Sequence, residues 1–362
     1  MKKLISIALV VMTCMFCAVG AVAESVEFNR LSKATFSNGQ LSYMQHNISA
    51  KKSGDYVYWL QADNTIALLS IANQGKKVDI PAEIDGYPVV SLGVGGEYRM
   101  NEPVIGEQAD VVHFPDSLKI IGTGSIAIPH TQRNFTFSEG LTEIGAFADP
   151  CFLTTVDLPS TLTKINDSAF VGFWGTKITF PEGLQSIGAQ AFQWASLKSI
   201  SIPGSVTQLG SEAFADSKLS SATLHEGISL ISERMFANCG NLSKITIPES
   251  IQSIGKEAFT NCSKLAAVTF KGNSIKEILD GTFSGCVALS KIVIPDGVTS
   301  IGKEAFYGCK KLSAVTIPAS VTEIGEYAFE GCAKKLVLTV DEGSYAEQWA
   351  NEQGIKIKLA KK

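Results

Sequence analysis

Residues 315–332 read "VTIPASVTEIGEYAFEGC", and residues 292–309 carry nearly the same string, "IVIPDGVTSIGKEAFYGC". In both, a proline ends an alternating apolar stretch, and Ile-Gly, Ala-Phe and Cys follow at fixed distances. A period of 22–24 residues indicates one supersecondary unit stacked on itself. The phenylalanine of the string recurs with this period at Phe147, Phe170, Phe192, Phe214, Phe236, Phe259, Phe283, Phe306 and Phe329.

Each unit opens with the pattern L-x-x-I-x-I-P-x-S, for example Leu242, Ile245, Ile247, Pro248 and Ser250. The I-x-I alternation has a period of two, so it predicts a short strand with one buried face. Units stacked at the strand spacing of about 4.8 Å build a parallel sheet along the array. The proline follows the strand, where its missing N–H removes no ladder bond.

The second half of the unit predicts a bend and a buried ring. Ile-Gly, as in Ile254-Gly255, is interpreted as a second apolar contact and a tight bend, because a bend often needs positive φ. The following "EAF" predicts one helical turn or less that drives the phenylalanine into the core. Two irregular starts, at Ile80-Pro81 and Phe114-Pro115, bring the total to about eleven units.

The full pattern L-x-x-I-x-I-P-x-S-V-x-x-I-G-x-x-A-F-x-x-C, over residues 78–338, resembles the BspA-like leucine-rich repeats of bacterial surface and secreted proteins. The phrase "VDIPAEIDGYPVVSLG" at 78–93 resembles the first repeat of that family, and "GSYAEQWANEQGIKIKL" at 343–359 resembles its closure. The resemblance implies a curved solenoid used for binding, often adhesion to host or neighbouring cells. It implies no catalytic residues.

The expected fold is therefore a leucine-rich-repeat solenoid, a curved right-handed stack with a parallel β-sheet face, short helical turns, a β-rich N-terminal cap and a C-terminal helix-strand cap. The expected organisation is a signal peptide at 1–23, cap strands at 24–77, the solenoid at 78–340 and the C-terminal cap at 341–362. Ser344 is the predicted N-cap, and Ile355–Leu359 a final strand. Residues 24–77 could instead form a separate binding domain. Within the irregular segment 93–133, residues 93–110 break the phase, as an insertion or a binding loop.

The first 23 residues have the form of an export signal: Lys2 and Lys3, an apolar core at 4–20, and Ala-Val-Ala before Glu24. A retained membrane anchor is the alternative. Cleavage would remove two of the 31 basic residues and none of the 35 acidic ones, which leaves a net charge of about −6. This mild acidity argues against nucleic acid or an anionic membrane as partner. A monomer without further membrane insertion is expected, secreted or on the cell surface, or periplasmic in a cell with two membranes.

Five cysteines, each three residues after a unit's phenylalanine, should stack in space: Cys239, Cys262, Cys286, Cys309 and Cys332. The spacing permits disulfides, but five in-register side chains cannot all pair, so buried reduced thiols are predicted. Cys151 is out of register. After the leader no C-x-x-C occurs and the histidines are scattered, so no metal or cofactor is expected. Motifs of hydrolases, zinc proteases and phosphate-binding loops are absent, which predicts that the protein is not an enzyme.

Two surfaces could bind a ligand. The residue between the two buried positions of each strand is mostly small and polar, which would give a hydrogen-bonding stripe, although threonine also simply suits an exposed strand. An aromatic cluster with lysines beside it follows Ala-Phe in two units that lack the cysteine; its tryptophans could bind a ligand or fill the vacant cysteine position. The predicted ligand-binding residues are Phe173, Trp174, Trp194, Lys177, Thr179, Ser201, Thr223, Thr246 and Thr269.

These features predict an exported, adhesin-like protein whose repeat surface binds a protein or glycan of a host or neighbouring cell. The alternative is a structural spacer in a surface assembly with no ligand of its own. A spacer would show a uniformly polar surface without a sizeable apolar patch.

Overall fold

The computed structural model describes residues 41–43, 46–48, 50–94, 103–127, 134–147 and 151–361. The predicted leader and parts of the predicted N-terminal cap and of segment 93–133 lie outside the described residues. The chain divides into two units, residues 1–50 and residues 51–362. In the first unit, β1 (Leu41–Tyr43) and β2 (His46–Ile48) form an antiparallel pair.

The second unit is a β-solenoid of about 12 turns, one more than the sequence pattern predicted. The I-x-I segments form the first parallel ladder, here named the I-x-I ladder. The additional turn is contributed by its strand β28 (Val337–Val340). Its pairs are β6–β9, β11–β13, β16–β18, β20–β22 and the run β24–β26–β28–β29. The strands are β6 (Lys77–Asp79), β9 (Val111–His113), β11 (Asn134–Thr136), β13 (Thr155–Asp157), β16 (Ser199–Ile202), β18 (Ser221–Leu224), β20 (Lys244–Ile247), β22 (Ala267–Phe270), β24 (Lys291–Val293), β26 (Ala314–Thr316), β28 (Val337–Val340) and β29 (Lys356–Leu359).

The residues at and around the Ile of Ile-Gly form a second parallel ladder, the I-G ladder, where the sequence predicted an apolar contact and a tight bend but no strand. Ten strands join in one sheet, which runs from β17 (Gln208–Leu209) back to β3 (Ala50–Ser53). The later strands form the groups β19–β21 and β23–β25–β27. The strands are β8 (Tyr87–Leu92), β10 (Ile120–Ile121), β12 (Glu143–Ile144), β14 (Lys164–Ile165), β15 (Ser186–Ile187), β17 (Gln208–Leu209), β19 (Leu230–Ile231), β21 (Ser253–Ile254), β23 (Glu277–Ile278), β25 (Ser300–Ile301) and β27 (Glu323–Ile324).

The glycine of Ile-Gly is required by close contact and not by positive φ, so the predicted reason was wrong. Gly255 is not among the residues with positive φ. A Cβ added to it would lie 2.4 Å from the backbone nitrogen of Glu233 in the preceding unit. At Gly302 and Gly325 the corresponding distances to the preceding unit's backbone nitrogen are 2.6 and 2.5 Å. The turns of the solenoid touch at these glycines, where a Cβ would overlap the backbone of the preceding unit.

The Ala-Phe segments are turns and not helical turns. The residues two before and two after the phenylalanine have positive φ, for example Glu257 (53°) and Asn261 (57°) around Phe259. Two left-handed residues within five prevent a helix. Instead, the N–H groups of Glu257, Phe259 and Asn261 donate to carbonyls of the next unit at 2.7–3.0 Å. The turns therefore form a third line of backbone hydrogen bonds along the solenoid.

The core is a column of phenylalanine rings. From Phe170 to Phe329, successive ring centroids lie 5.2–5.9 Å apart with interplanar angles of 4–14°. Each ring from Phe192 to Phe306 is thus covered on both faces by stacked neighbours. The rings of Phe170 to Phe306 are completely inaccessible to solvent, and burial of each stabilises the fold by about 1.5–3 kcal/mol.

Non-repeat elements lie at both ends of the array of units. Before the first units, β3 (Ala50–Ser53), β4 (Tyr56–Leu60) and β5 (Ile66–Ile71) extend the I-G ladder, and β7 (Glu83–Ile84) pairs with β8. At the other end α1 (Tyr345–Glu352) begins at the predicted N-cap Ser344, whose Oγ accepts the N–H of Glu347 at 3.2 Å. Trp349 of α1 lies against Phe329, with the two ring centroids 5.9 Å apart. The predicted helix-strand closure is confirmed.

Candidate functional site

The predicted stripe lies on the exposed face of the I-x-I ladder. Thr179, Ser201, Thr223, Thr246 and Thr269 are all exposed. In the paired strands the stripe residues lie directly opposite one another, as Ser201 opposite Thr223 and Thr246 opposite Thr269 show. Val293, 64% exposed, breaks the line of hydroxyls. The stripe is therefore a regular surface, and regularity alone does not mark one position as a site.

One unit departs from this regularity. Residues 177–180 are the one I-x-I segment among the described units that forms no strand. Strand β16 pairs with β18 on one side and has no strand partner on its other side. Between the strandless segment and β16 the described residues contain a single backbone bond, from the Lys198 N–H to the Thr176 carbonyl at 3.0 Å. The ladder is also interrupted between β18 and β20 and between β22 and β24, so the feature that distinguishes this unit is the strandless segment itself.

The same unit carries an unusual residue in its core. Phe173 occupies the position that cysteine holds in later units, and it is fully buried. Gly175 makes room for it, because a Cβ at position 175 would lie 2.3 Å from the Phe173 Cζ atom. Phe173 was predicted to contact ligand. Because its ring is completely buried, it is part of the core and does not reach the surface. In the next two units the cysteine position is held by Ala195 and Ser217.

The strandless segment coincides with a depression of about 340 Å³ on the exposed face. Three predicted stripe residues, Thr179, Ser201 and Thr223, line it together with Lys177. The lining residues that were not predicted from the sequence include two ionisable side chains, Glu182 and His225. The segment's own residues do not predict the missing strand, because "KITFP" at 177–181 matches the repeat pattern.

The polar groups of the depression offer both donors and acceptors. Ser201 Oγ and His225 Nε2 are hydrogen bonded at 2.8 Å. Lys177 supplies a cation and Glu182 a carboxylate within the same lining. Such a mixed set suits a ligand with hydroxyl or amide groups, which both donate and accept. The Ser–His contact has no carboxylate bonded to the imidazole among the described residues, so a nucleophilic triad is not formed.

The two tryptophans lie on the chain segments that lead into the depression, and neither fills the vacant cysteine position. Trp174 is 48% exposed and Trp194 is 37% exposed. The Trp174 ring stands edge-on to Phe152, with centroids 5.2 Å apart. Trp194 has a φ of 58°, in the left-handed position of its turn. Large exposed rings held in fixed positions are typical of binding surfaces.

A charged network lies on the Ala-Phe turns and has a structural explanation. Arg234 bridges Glu212, at 3.0 Å from its Nε atom, and Glu257, so that three successive units are joined. Asp216 accepts a hydrogen bond from the Asn238 side chain at 3.0 Å. Desolvation raises the pKa of Asp216 above its ordinary value. These groups are satisfied by each other and leave little for a ligand.

The predicted free, buried thiols are confirmed for the described cysteines. All are free, and only Cys332 is partly exposed. Each of the five stacked thiols donates to the carbonyl of the preceding unit's phenylalanine at 3.1–3.3 Å, a contact that sequence analysis missed. Burial raises the pKa of Cys239 and Cys286 to about 12. Such thiols are poor nucleophiles and poor metal ligands.

No cluster of three or more His, Cys, Asp or Glu side chains in the described part of the chain could hold a metal ion. The same residues include no helix with the length and apolar character needed to cross a bilayer.

Several solved structures resemble the chain. A leucine-rich cell surface protein of Faecalibacterium prausnitzii is 25% identical, covers 83% of this chain and 97% of its own length, and superposes with a TM-score of 0.42. The pneumococcal vaccine antigen PcpA is 17% identical, with coverage of 87% and 99% and a TM-score of 0.36. A leucine-rich repeat protein of Bacteroides ovatus is 21% identical, with coverage of 86% and 100% and a TM-score of 0.35. No curated protein matches the chain.

The family model described as BspA type leucine-rich repeat region, with six copies, matches residues 107–174, 174–288 and 276–343. These matches span roughly two thirds of the chain and coincide with the stacked units of the solenoid. The chain therefore belongs to the BspA-type leucine-rich repeat family.

Proposed function

We propose that this protein is an exported, non-enzymatic binding protein that uses its repeat surface to bind a protein or glycan of a host or neighbouring cell. Support comes from the family and from the cell surface description of a relative. The observation that carries the proposal is the coincidence, in one part of the solenoid, of two exposed tryptophans with the strandless segment and its depression. A spacer needs neither feature.

In this proposal the binding face combines the depression with Trp174 and Trp194, which precede two of its lining segments in the chain. Exposed indole rings pack against sugar or side-chain faces, while Thr179, Ser201 and Thr223 donate and accept hydrogen bonds. Several such contacts on a rigid solenoid cost little ordering entropy on binding. The distant stripe residues Thr246 and Thr269 extend the same face but lie outside the depression.

The test is a screen of the full chain, expressed with its own leader and recovered after export, against glycan and extracellular-matrix protein arrays. The intact mass of the exported protein also tests cleavage after Ala23. A specific ligand should be bound at least tenfold more weakly by the double variant Trp174→Ala/Trp194→Ala, with unchanged melting temperature. The matched control, Thr246→Ala/Thr269→Ala, should bind normally.

The screen also separates the alternatives. A ligand that survives loss of both tryptophans but is lost in the control variant would place the site on the distant stripe. One that survives in both variants would point to residues 93–110. No ligand on either array would favour the spacer.

A further inference from the structure

The end of the repeat array holds a second concave surface, unrelated to the I-x-I ladder. This end groove has a volume of about 720 Å³ and lies between the last Ala-Phe turn and the segment that leads into β29. Its apolar lining includes Phe329, Cys332, Leu336 and Ile355. The volume lies within the range of 300–1,000 Å³ that is common for small-molecule sites.

The groove exists because the line of turn hydrogen bonds has no further unit to meet. In the preceding unit the N–H groups of Phe306 and Gly308 donate to the next unit's carbonyls, both at 2.8 Å. Gly331 repeats the left-handed geometry of Gly308, with a φ of 72°. Among the described residues, the N–H groups of Phe329 and Gly331 have no acceptor. Helix α1 covers the Phe329 ring through Trp349, whereas Gly331 stays exposed.

The charge of the groove has one sign. Lys334, Lys335 and Lys356 line it, and no acidic side chain of the described residues does. All three lysines are exposed, and none forms an ion pair within the described part of the chain. This is unusual for a protein whose net charge is −4. Open backbone N–H groups next to cations form a setting that binds anions.

We propose that the end groove binds a small anionic amphiphile, with a carboxylate, sulfate or phosphate head among the three lysines and an apolar body on Phe329, Leu336 and Ile355. The head would accept the open Gly331 N–H. An apolar ligand alone would leave the lysines uncompensated, and an inorganic anion alone would leave the apolar lining wet. The combination of both surfaces in one groove is what selects an amphiphile.

The probe is dodecanoate below its micelle concentration, titrated into the full exported chain by calorimetry. Acetate tests the head alone, and dodecyl maltoside tests the chain with a neutral head. Dodecanoate should bind at least tenfold more tightly than either, and its affinity should fall as salt rises. Dodecyl sulfate and dodecyl phosphate then distinguish which anionic head is preferred.

The test variant is Lys334→Ala/Lys335→Ala/Lys356→Ala, which should weaken dodecanoate binding about tenfold or more. The control Lys244→Ala/Lys264→Ala/Lys291→Ala removes the same charge from exposed positions that do not line the groove, and should bind normally. Equal binding by both variants, or equal binding of dodecyl maltoside and dodecanoate to the native protein, would overturn the proposal. All side chains involved are exposed, so loss of folding is not expected.

A second readout locates the ligand. Cys332 lines the groove and is the one described cysteine that is not buried. Bound dodecanoate should slow modification of Cys332 by a small thiol reagent at least several-fold, as mapped by peptide mass spectrometry. Unchanged modification at a saturating concentration of dodecanoate would place binding elsewhere and refute the end groove as the site.

Discussion

Replacement of Phe259 by alanine should be among the most destabilising single changes in this protein. Its ring is completely buried and stacks on Phe236 and Phe283, in both cases at 5.5 Å with angles of 12° and 5°. Phenylalanine-to-alanine changes in cores cost about 3–5 kcal/mol. Because aromatic contacts cover both faces of this ring, we expect about 4–5 kcal/mol.

Two comparison variants set the scale. Phe329 is 6% exposed, stacks on one phenylalanine and borders the open end groove, so Phe329→Ala should cost about 3 kcal/mol or less. Thr269 is exposed in the middle of β22, and Thr269→Ala should change stability by less than about 0.5 kcal/mol.

The assay is urea unfolding followed by circular dichroism, with amide hydrogen exchange to locate the loss. Since each unit contacts mainly its neighbours, Phe259→Ala should reduce protection most in the units of Phe236, Phe259 and Phe283. Equal shifts for Phe259→Ala and Thr269→Ala would refute the phenylalanine column as the source of stability. Uniform loss of protection along the whole array would refute its nearest-neighbour character.

Three further outcomes test individual contacts. Asp216→Asn should raise the free energy of unfolding by about 0.5–1 kcal/mol at neutral pH, because burial penalises the charged carboxylate. Asparagine keeps the bond to Asn238 and suits a φ of 59°. Since the raised pKa of Asp216 favours its protonated form, the gain in urea unfolding should vanish below about pH 4. Gly255→Ala should cost more than about 2 kcal/mol in the same assay. Gly240→Ala, whose Cβ would make ordinary contacts with the Ser263 Oγ atom at 3.4 Å and the Asn238 carbonyl oxygen at 4.0 Å, should fold and melt normally. In the native state Cys286 should react with iodoacetamide far more slowly than after denaturation, since its pKa is raised to about 12 by burial; rapid native labelling would contradict this.

The sequence predicted what the repeat period controls. Period and alternation located the phenylalanine column and the I-x-I strands, because every unit repeats the same burial pattern. Ser344 predicted the start of α1 through its capping chemistry. These features follow from local composition and need no knowledge of how neighbouring units touch.

Contacts between units were harder to predict. The role of Gly255 depends on the distance to Glu233 in the preceding unit, and sequence letters do not report that distance. The left-handed residues Glu257 and Asn261 are stabilised by hydrogen bonds to the next unit, which override the helical propensity of the segment. Local rules therefore gave a helical turn where stacking selects a different turn.

The candidate site was predicted in part. Its exposed hydroxyls and tryptophans follow from the repeat phase, but the depression depends on the lost pairing of residues 177–180. The available signal was Phe173 at a cysteine position, followed by Gly175. A residue much larger than cysteine in a stacked core displaces its surroundings, and a nearby glycine shows where space was made.

In a solenoid of near-identical turns, a ligand that recognises one place needs a place that differs from the others. The stripe of small hydroxyls offers the same surface at Thr246 and Thr269, so it supplies contacts without selecting a position. The regularity fails at the strandless unit, where Trp174 is exposed, and at the last turn, where the Gly331 N–H has no acceptor among the described residues. The first place coincides with Phe173 at a cysteine position, and the second lies at the end of the stack. Because the depression and the end groove share no lining residue, loss of binding at one surface should leave binding at the other intact. The tryptophan and lysine variants can therefore be assayed in the same protein without interference.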